Sequence, residues 1–151
     1  MTSVSPVAIL GVAAIVGIGV GAVTANIEDR SAKGSTERQV FALCHTGGGT
    51  NCVVDGDTVW LDGVKIRIAD IDAPETHPPR CQREAALGNR ATLRLQQLLN
   101  DGAFSVEAAD RDEDRYGRKL RIITRRGQSL GAMLVSEGLA RSWSGARRLW
   151  C

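Results

Sequence analysis

Residues 52–61, CVVDGDTVWL, and residues 64–71, VKIRIADI, decide the fold, because each is a short β-branched run bounded by turn residues. A third run of this kind, QVFALC, precedes them at residues 39–44. Glycine-containing turns separate the three runs, and strands joined by short turns pair with their neighbours. We therefore expect three sequential strands that form an antiparallel meander.

A helix, two further strands and a second helix are predicted after the meander. Residues 82–99 have helical periodicity, and residues 104–110 and 118–126 are two β-branched runs around an acidic turn. Residues 130–140 predict a short helix with Ser129 as its N-cap. Five short strands leave no exposed edge when they close into a small barrel, so this order predicts a five-stranded OB-fold, an α+β fold. The apolar stripe of the first helix consists of Ala86 or Leu87, Ala91, Leu95 and Leu98.

The composition fits one globular domain and excludes a disordered chain. The 151 residues are 43% hydrophobic and 24% charged, and the formal net charge is only +2. Bulk positive charge therefore does not predict a nucleic-acid partner. The basic residues are concentrated in the last third, where residues 115–126 hold six basic side chains and no acidic one.

The first 38 residues divide into an apolar segment and a linker. Residues 1–25 carry no charge, and residues 7–25 are long enough to cross a bilayer. They predict a hydrophobic helix that is either a cleaved signal peptide or a retained transmembrane anchor. Residues 26–38 are polar and aperiodic and predict a linker, which leaves residues 39–151 as the folded domain.

Four cysteines bear on the compartment. Cys44 and Cys52 bracket a glycine-rich turn, Cys81 precedes the first helix and Cys151 ends the sequence, so we expect the disulfides 44–52 and 81–151. Zinc binding is disfavoured because no C-x2-C spacing occurs. Basic residues that follow the apolar segment would keep the domain in the cytoplasm, but the cysteines favour export to the periplasm or the medium.

Several acidic residues lie where strands would otherwise favour valine and isoleucine. Asp55 and Asp70 are interpreted as turn residues. Asp57 and Asp72 each adjoin a hydrophobic run that would bury them, and two buried carboxylates repel unless a cation joins them. Hard oxygen ligands suit calcium or magnesium, so the pair predicts a divalent metal site.

Two arginines complete a set that suits phosphodiester hydrolysis. Arg67 lies in the middle of a strand and Arg118 at the start of another, and a guanidinium matches two oxygens of a phosphate. Arg67 and Asp72 are separated by an odd number of residues, which places them on opposite faces of a regular strand. A bulge or bend between Ala69 and Asp72 is therefore expected.

These motifs resemble those of the staphylococcal nuclease (thermonuclease) family. VVDGDTVWL, IRIADIDAPET, DRYGRKL and LVSEGLA occur in that order over roughly residues 52–141. The resemblance implies an OB-fold, calcium-dependent phosphodiesterase that cuts DNA and RNA and leaves 3'-phosphates.

The resemblance also implies a role for each matching residue. Asp57 and Asp72 would be carboxylate ligands of calcium, and the backbone carbonyl of Ala73 a third ligand. Glu75 would be the candidate general base. The remaining matches are the phosphate-binding pair Arg67 and Arg118 and the substrate-contacting residues Arg115 and Tyr116.

The function expected from the sequence is therefore a monomeric, exported or membrane-anchored nuclease of low sequence specificity. The alternative is an OB-fold module that binds nucleic acid without catalysis. An EF-hand beginning at Asp110 is excluded, because its sixth and twelfth positions are Arg115 and Arg121. We interpret this stretch as an acidic turn that pairs with neighbouring arginines.

Overall fold

The computed structural model of the chain describes residues 39–44 and 49–151. The predicted apolar helix at residues 7–25 and the linker at 26–38 lie outside the described residues. Neither helix in the described part of the chain combines the length and apolar character that crossing a membrane requires.

The described chain forms nine short strands and two helices. The strands are β1 (Ala42–Leu43), β2 (Cys52–Asp55), β3 (Thr58–Leu61), β4 (Val64–Ile68), β5 (Ile71–Asp72), β6 (Ser105–Glu113), β7 (Lys119–Arg125), β8 (Gln128–Ser129) and β9 (Arg141–Ser142), and the helices are α1 (Gln82–Asn100) and α2 (Leu130–Ser136).

The main sheet is mixed. Its strand order is β1-β2-β3-β4-β7-β6, with β8 paired to β7, while β5 and β9 form a separate two-stranded sheet. An antiparallel meander is present, but it consists of β2, β3 and β4, two of which come from the second run. Strand β1 of the first run is parallel to β2, so the predicted antiparallel pairing of that run is wrong. The run is also shorter than predicted, because the side chain of Asn100 bonds both the N–H and the C=O of Phe41.

The described strands do not close into the predicted five-stranded barrel. Strands β1 and β6 lie at opposite ends of the strand order, and no ladder joins them within the described ranges. The chain leaves the main sheet after β4, and β5 pairs with β9 instead. The arrangement of a mixed sheet with two helices is consistent with an α+β fold of the OB type.

The run at residues 52–61 is a hairpin and not the single strand that its hydrophobicity predicts. Asp55 pairs with Thr58 across a two-residue turn, and the Asp55 side chain accepts a hydrogen bond from the N–H of Asp57. A Cβ on Gly56 would lie 2.7 Å from the Cβ of Ala91, so the turn packs tightly on α1. Asp55 is thus a turn residue, as predicted.

The predicted bend after β4 is confirmed. Strand β4 ends at Ile68, a turn occupies residues 69–70, and β5 begins at Ile71. The turn changes the direction of the chain, so that Asp72 reaches the same side as Arg67.

Both helices begin at the residues that the sequence predicts. Ser129 caps α2 by accepting a hydrogen bond from the N–H of Ala132, as predicted. The helix ends at Ser136, earlier than predicted, because Gly138 adopts a left-handed conformation with φ of 70°. Ala91, Leu95 and Leu98 of the predicted stripe pack in the core with Leu130 and Leu134 of α2. Leu87 packs against this core, whereas Ala86 is exposed.

Gly88 lies inside α1, where glycine costs about 1 kcal/mol relative to alanine. A Cβ at this position would lie 2.8 Å from the carbonyl oxygen of Pro74 and 3.0 Å from that of Glu75. The glycine therefore permits close packing of the helix against the loop that follows β5.

Two disulfides join Cys44 to Cys52 and Cys81 to Cys151, which is the predicted connectivity. The second bridge holds the end of the chain against the start of α1. Arg141 supports this attachment, since it stacks on the ring of Trp150 at 3.7 Å and donates to the carbonyl of Leu149.

We expect the double substitution Cys81→Ser with Cys151→Ser to lower the free energy of unfolding by about 4 kcal/mol, because the bridge closes a loop of about 70 residues. Urea unfolding measures this change. In the matched variant, Cys44→Ser with Cys52→Ser, the loss should be about 2 kcal/mol smaller, since the sequence separation is 8. Equal losses in the two variants would contradict the loop-entropy explanation.

Asp55 should make stability depend on pH. Burial, together with repulsion by Asp57, raises the pKa of Asp55 from 3.8 to about 7. Below about pH 4 the carboxyl is protonated in both states, and between pH 4 and 7 only the unfolded chain loses this proton, so its contribution to stability falls as pH rises through this range. Asp55→Asn should therefore gain stability relative to wild type from about pH 4 to 7, measured by urea unfolding with a chelator present. A constant difference over that range would contradict the raised pKa.

Candidate functional site

A cleft of about 1000 Å³ opens at one side of the sheet. It lies between the end of β4 with the following loop, strands β6 and β7 with their connecting turn, and the segment after β9. Six arginines and four carboxylates contribute to its walls, so the lining is positively charged overall. These residues are Arg67, Arg80, Arg111, Arg115, Arg118 and Arg147, with Asp70, Glu75, Asp110 and Asp114.

Arg67 brings the two predicted metal ligands together. Its side chain is buried, with Nη1 2.6 Å from Oδ2 of Asp57 and Nη2 3.9 Å from Oδ1 of Asp72. The same guanidinium donates to the carbonyls of Ile68 and Ile71, which flank the bend. The Arg67 guanidinium therefore holds the bend close to both carboxylates.

Asp57 is held by donors on three sides. Oδ2 accepts from the N–H of Ala73 at 2.8 Å in addition to its contact with Arg67, and Oδ1 accepts from the hydroxyl of Thr58 at 3.1 Å. The Thr58 hydroxyl in turn accepts from Nη1 of Arg118 at 3.4 Å. A chain of polar contacts thus links the two predicted arginines. Sequence reasoning assigned no role to Thr58, although it belongs to the DGDT motif.

Asp72 is buried, but one of its oxygens has no hydrogen-bond partner. Burial raises the pKa of this carboxyl, with the charge of Arg147 opposing the shift, Asp57 adding to it, and Arg67 opposing it less. Oδ1 is the Asp72 oxygen that has no hydrogen-bond partner among the described residues. Its nearest cation is Nε of Arg147 at 3.3 Å.

Asp114 orients Arg118 at the cleft wall. Its Oδ2 accepts from Nε of Arg118 and lies 2.7 Å from Nη2, and its Oδ1 accepts from the backbone N–H of the same residue. Burial alone would raise the pKa of Asp114, but these hydrogen bonds from Arg118 and one from the N–H of Tyr116 hold it below its usual value. The acidic turn therefore pairs with neighbouring arginines, as predicted.

Tyr116 projects from the same turn. Its side chain is exposed, and its hydroxyl accepts a hydrogen bond from Nη2 of Arg115, whose guanidinium also stacks on the ring. Both residues line the cleft.

Glu75 lies on the loop that packs against Gly88, and Oε1 contacts Nη1 of Arg147. Arg147 is not among the site residues that the sequence predicts. The expected bridge at Cys151 was the available signal, because it returns the end of the chain toward residues 72–81.

Asp70 does not join the buried pair. Its Oδ2 accepts a hydrogen bond from the hydroxyl of Ser129 at the start of α2. Its backbone carbonyl accepts from the N–H of Trp143. The residue thus occupies a turn, as predicted, and attaches that turn to two later segments.

Within residues 39–44 and 49–151, no group of three or more His, Cys, Asp or Glu side chains converges as a metal site would require. The candidate oxygen ligands for a metal ion at this site are the two carboxylates that Arg67 brings together and the carbonyl of Ala73.

The comparisons with known proteins match this part of the chain. The family model described as "Staphylococcal nuclease homologue" matches residues 65–148, more than half of the chain. The chain is 35% identical over 99 residues to Endonuclease YhcR of Bacillus subtilis (strain 168), an alignment that covers 58% of this chain and 8% of that protein.

Two further relatives give similar values. Endonuclease YncB of the same organism is 36% identical over 93 residues, with 58% of this chain and 44% of that protein covered. Micrococcal nuclease of Shigella flexneri is 32% identical over 101 residues, with 58% and 53% covered. The chain thus spans about half or less of the length of these curated relatives. On the family match, the chain belongs to the staphylococcal nuclease family.

Proposed function

We propose that this domain is a calcium-dependent nuclease that hydrolyses phosphodiester bonds of DNA and/or RNA with low sequence specificity and leaves 3'-phosphates. The observation that carries the proposal is the position of Arg67 and Arg118 beside the buried carboxylates of Asp57 and Asp72. The relatives named as endonucleases support hydrolysis of nucleic acid.

The residues present fit a calcium ion. Asp72 has a buried oxygen without a hydrogen-bond partner, and Asp57 supplies a second buried carboxylate. The carbonyl of Ala73 would be the third protein ligand, and oxygen ligands of this kind suit calcium. Bound there, calcium supplies positive charge that stabilises the charge developing on the phosphate oxygens.

The protein side chains perform the remaining steps. Arg118 donates to a non-bridging phosphate oxygen, and the positive charge of Arg67 lies close to the same phosphate. Glu75 accepts a proton from the water that attacks phosphorus. The bond from phosphorus to the 5'-oxygen breaks and the 5'-oxygen takes up a proton from solvent, so the phosphate remains on the 3' side.

The cleft suits binding without strong sequence preference. Its arginines contact the phosphate backbone, which every nucleic acid shares. Tyr116 and Trp143 are exposed at 67% and 43% at its wall, and aromatic rings stack on any base.

We also propose that the domain acts as a monomer outside the cytoplasm, in the periplasm or the medium, either released or anchored to the membrane through residues 7–25. The two disulfides support an oxidising compartment.

Incubation of the purified full chain with single-stranded DNA and with RNA, with calcium and then with excess chelator, tests the proposal. We expect cleavage with calcium only, and mass spectrometry of the products should find 3'-phosphates. Binding without cleavage at any calcium concentration would instead support the non-catalytic binding module.

Arg118→Ala should lower turnover by about 10²-fold, because it removes a donor to the transition state. Single-turnover cleavage of a labelled oligonucleotide measures this rate. Arg121→Ala is the matched control, since Arg121 of β7 lies three residues after Arg118 and is paired with the exposed Asp112 of β6. Equal rates for a folded Arg118→Ala and for Arg121→Ala would exclude Arg118 from the mechanism.

A ligand that binds only the folded state stabilises it, by about 2.7 kcal/mol when its concentration is 100 times Kd. Asp72→Asn removes a proposed carboxylate ligand of calcium, so we expect this variant to lose the stabilisation by calcium. Asp57→Asn should act in the same way. Thermal unfolding with and without calcium measures the effect, and the exposed Asp62→Asn is the charge-matched control. If calcium raises the Tm of Asp72→Asn as much as that of Asp62→Asn, the metal site is misplaced.

A further inference from the structure

The last segment of the described chain crosses the cleft wall and is fixed at both ends. We call residues 143–151 the C-terminal strap. At its start the N–H of Trp143 donates to the carbonyl of Asp70, immediately after β9 pairs with β5. At its end Cys151 is bonded to Cys81. The strap is therefore a closed loop, with Arg147 in its middle.

Arg147 lies between the two acids that the proposed reaction uses in different ways. Its Nη1 contacts Oε1 of Glu75, the candidate base, and its Nε is 3.3 Å from Oδ1 of Asp72, the candidate ligand. This Asp72 oxygen is buried and has no hydrogen-bond partner in the described part of the chain. The guanidinium of Arg147 is its nearest positive charge there, since that of Arg67 is 3.9 Å away.

A guanidinium in this position has the same electrostatic effect as a bound cation. It offsets the repulsion between Asp72 and the neighbouring Asp57, which burial makes stronger. An oxygen that faces the guanidinium is not available to a metal ion at the same time, because two cations at that oxygen repel each other.

Arg147 is free to leave this position. Its side chain is 38% exposed, and the contacts that attach the strap are made by other residues. Displacement of the guanidinium into the cleft therefore requires rotation of one side chain, while the strap stays attached.

We propose that Arg147 is an exchangeable internal cation of this active site, which occupies Asp72 and Glu75 in the calcium-free protein and competes with calcium for them. This inference rests on the proposed calcium site. The strap holds the guanidinium at high local concentration, so calcium must displace it to bind.

Calcium titration of the purified full chain by isothermal calorimetry tests the proposal without any activity measurement. Arg147→Ala should lower the Kd for calcium by about tenfold or more, because the competing cation is gone. Arg148→Ala is the matched control: it removes the same charge from the neighbouring exposed residue and should change the Kd by less than about twofold. Arg147→Lys should give a Kd between those of wild type and Arg147→Ala.

The outcomes separate this inference from the proposed function. If wild type binds calcium and the Kd values of Arg147→Ala and Arg148→Ala are equal, Arg147 is no competitor and only this inference fails. Weaker binding by Arg147→Ala would also overturn it and would make Arg147 a support of the site. If wild type and both variants fail to bind calcium, the proposed function itself fails.

Discussion

A buried guanidinium must satisfy its donors within the protein, and Arg67 does so with one carboxylate and the carbonyls of the bend that follows β4. Removal of either member of such a pair leaves an uncompensated buried charge, which costs several kcal/mol. The β2–β3 turn, the bend and β5 are held together by this one side chain. The geometry of the candidate site therefore depends on the ion pair between Arg67 and Asp57 more than on any other contact.

Short sequence patterns predicted the elements of the fold that depend on residues close together in the sequence. The helical period fixed α1 to within one residue, and Ser129 identified the start of α2. The odd separation of Arg67 and Asp72 predicted the bend. The sequence did not predict the hairpin inside residues 52–61, because the hydrophobic residues on both sides of Gly56–Asp57 favour one continuous strand, although a Gly-Asp pair between two such runs is also typical of a two-residue hairpin turn. Phe41, which precedes β1, is bonded to Asn100, far away in sequence, and no local pattern encodes the parallel pairing of β1 with β2.

The same division applies to the site. Asp57, Asp72, Arg67 and Arg118 stand in short motifs, so their residue types alone indicated one chemistry, and the bend explains how two of them meet. Thr58 and Arg147 reach the site through contacts with residues 60 and 72 positions away in sequence. Such contacts arise from tertiary packing and from a disulfide, and single-sequence periodicity carries no information about either.

The close packing of Gly88 has a consequence for protein engineering. Replacing a glycine inside a helix with alanine is a standard route to a more stable protein, with a gain of about 0.5–1 kcal/mol where the space is free. At this position the added methyl group would press on the carbonyls of Pro74 and Glu75, two backbone groups that cannot yield without moving the loop. Gly88 therefore lowers the stability of α1 but allows the loop that carries Glu75 to pack against the helix. We expect alanine at this position to favour the helix and to displace the Glu75 carboxylate.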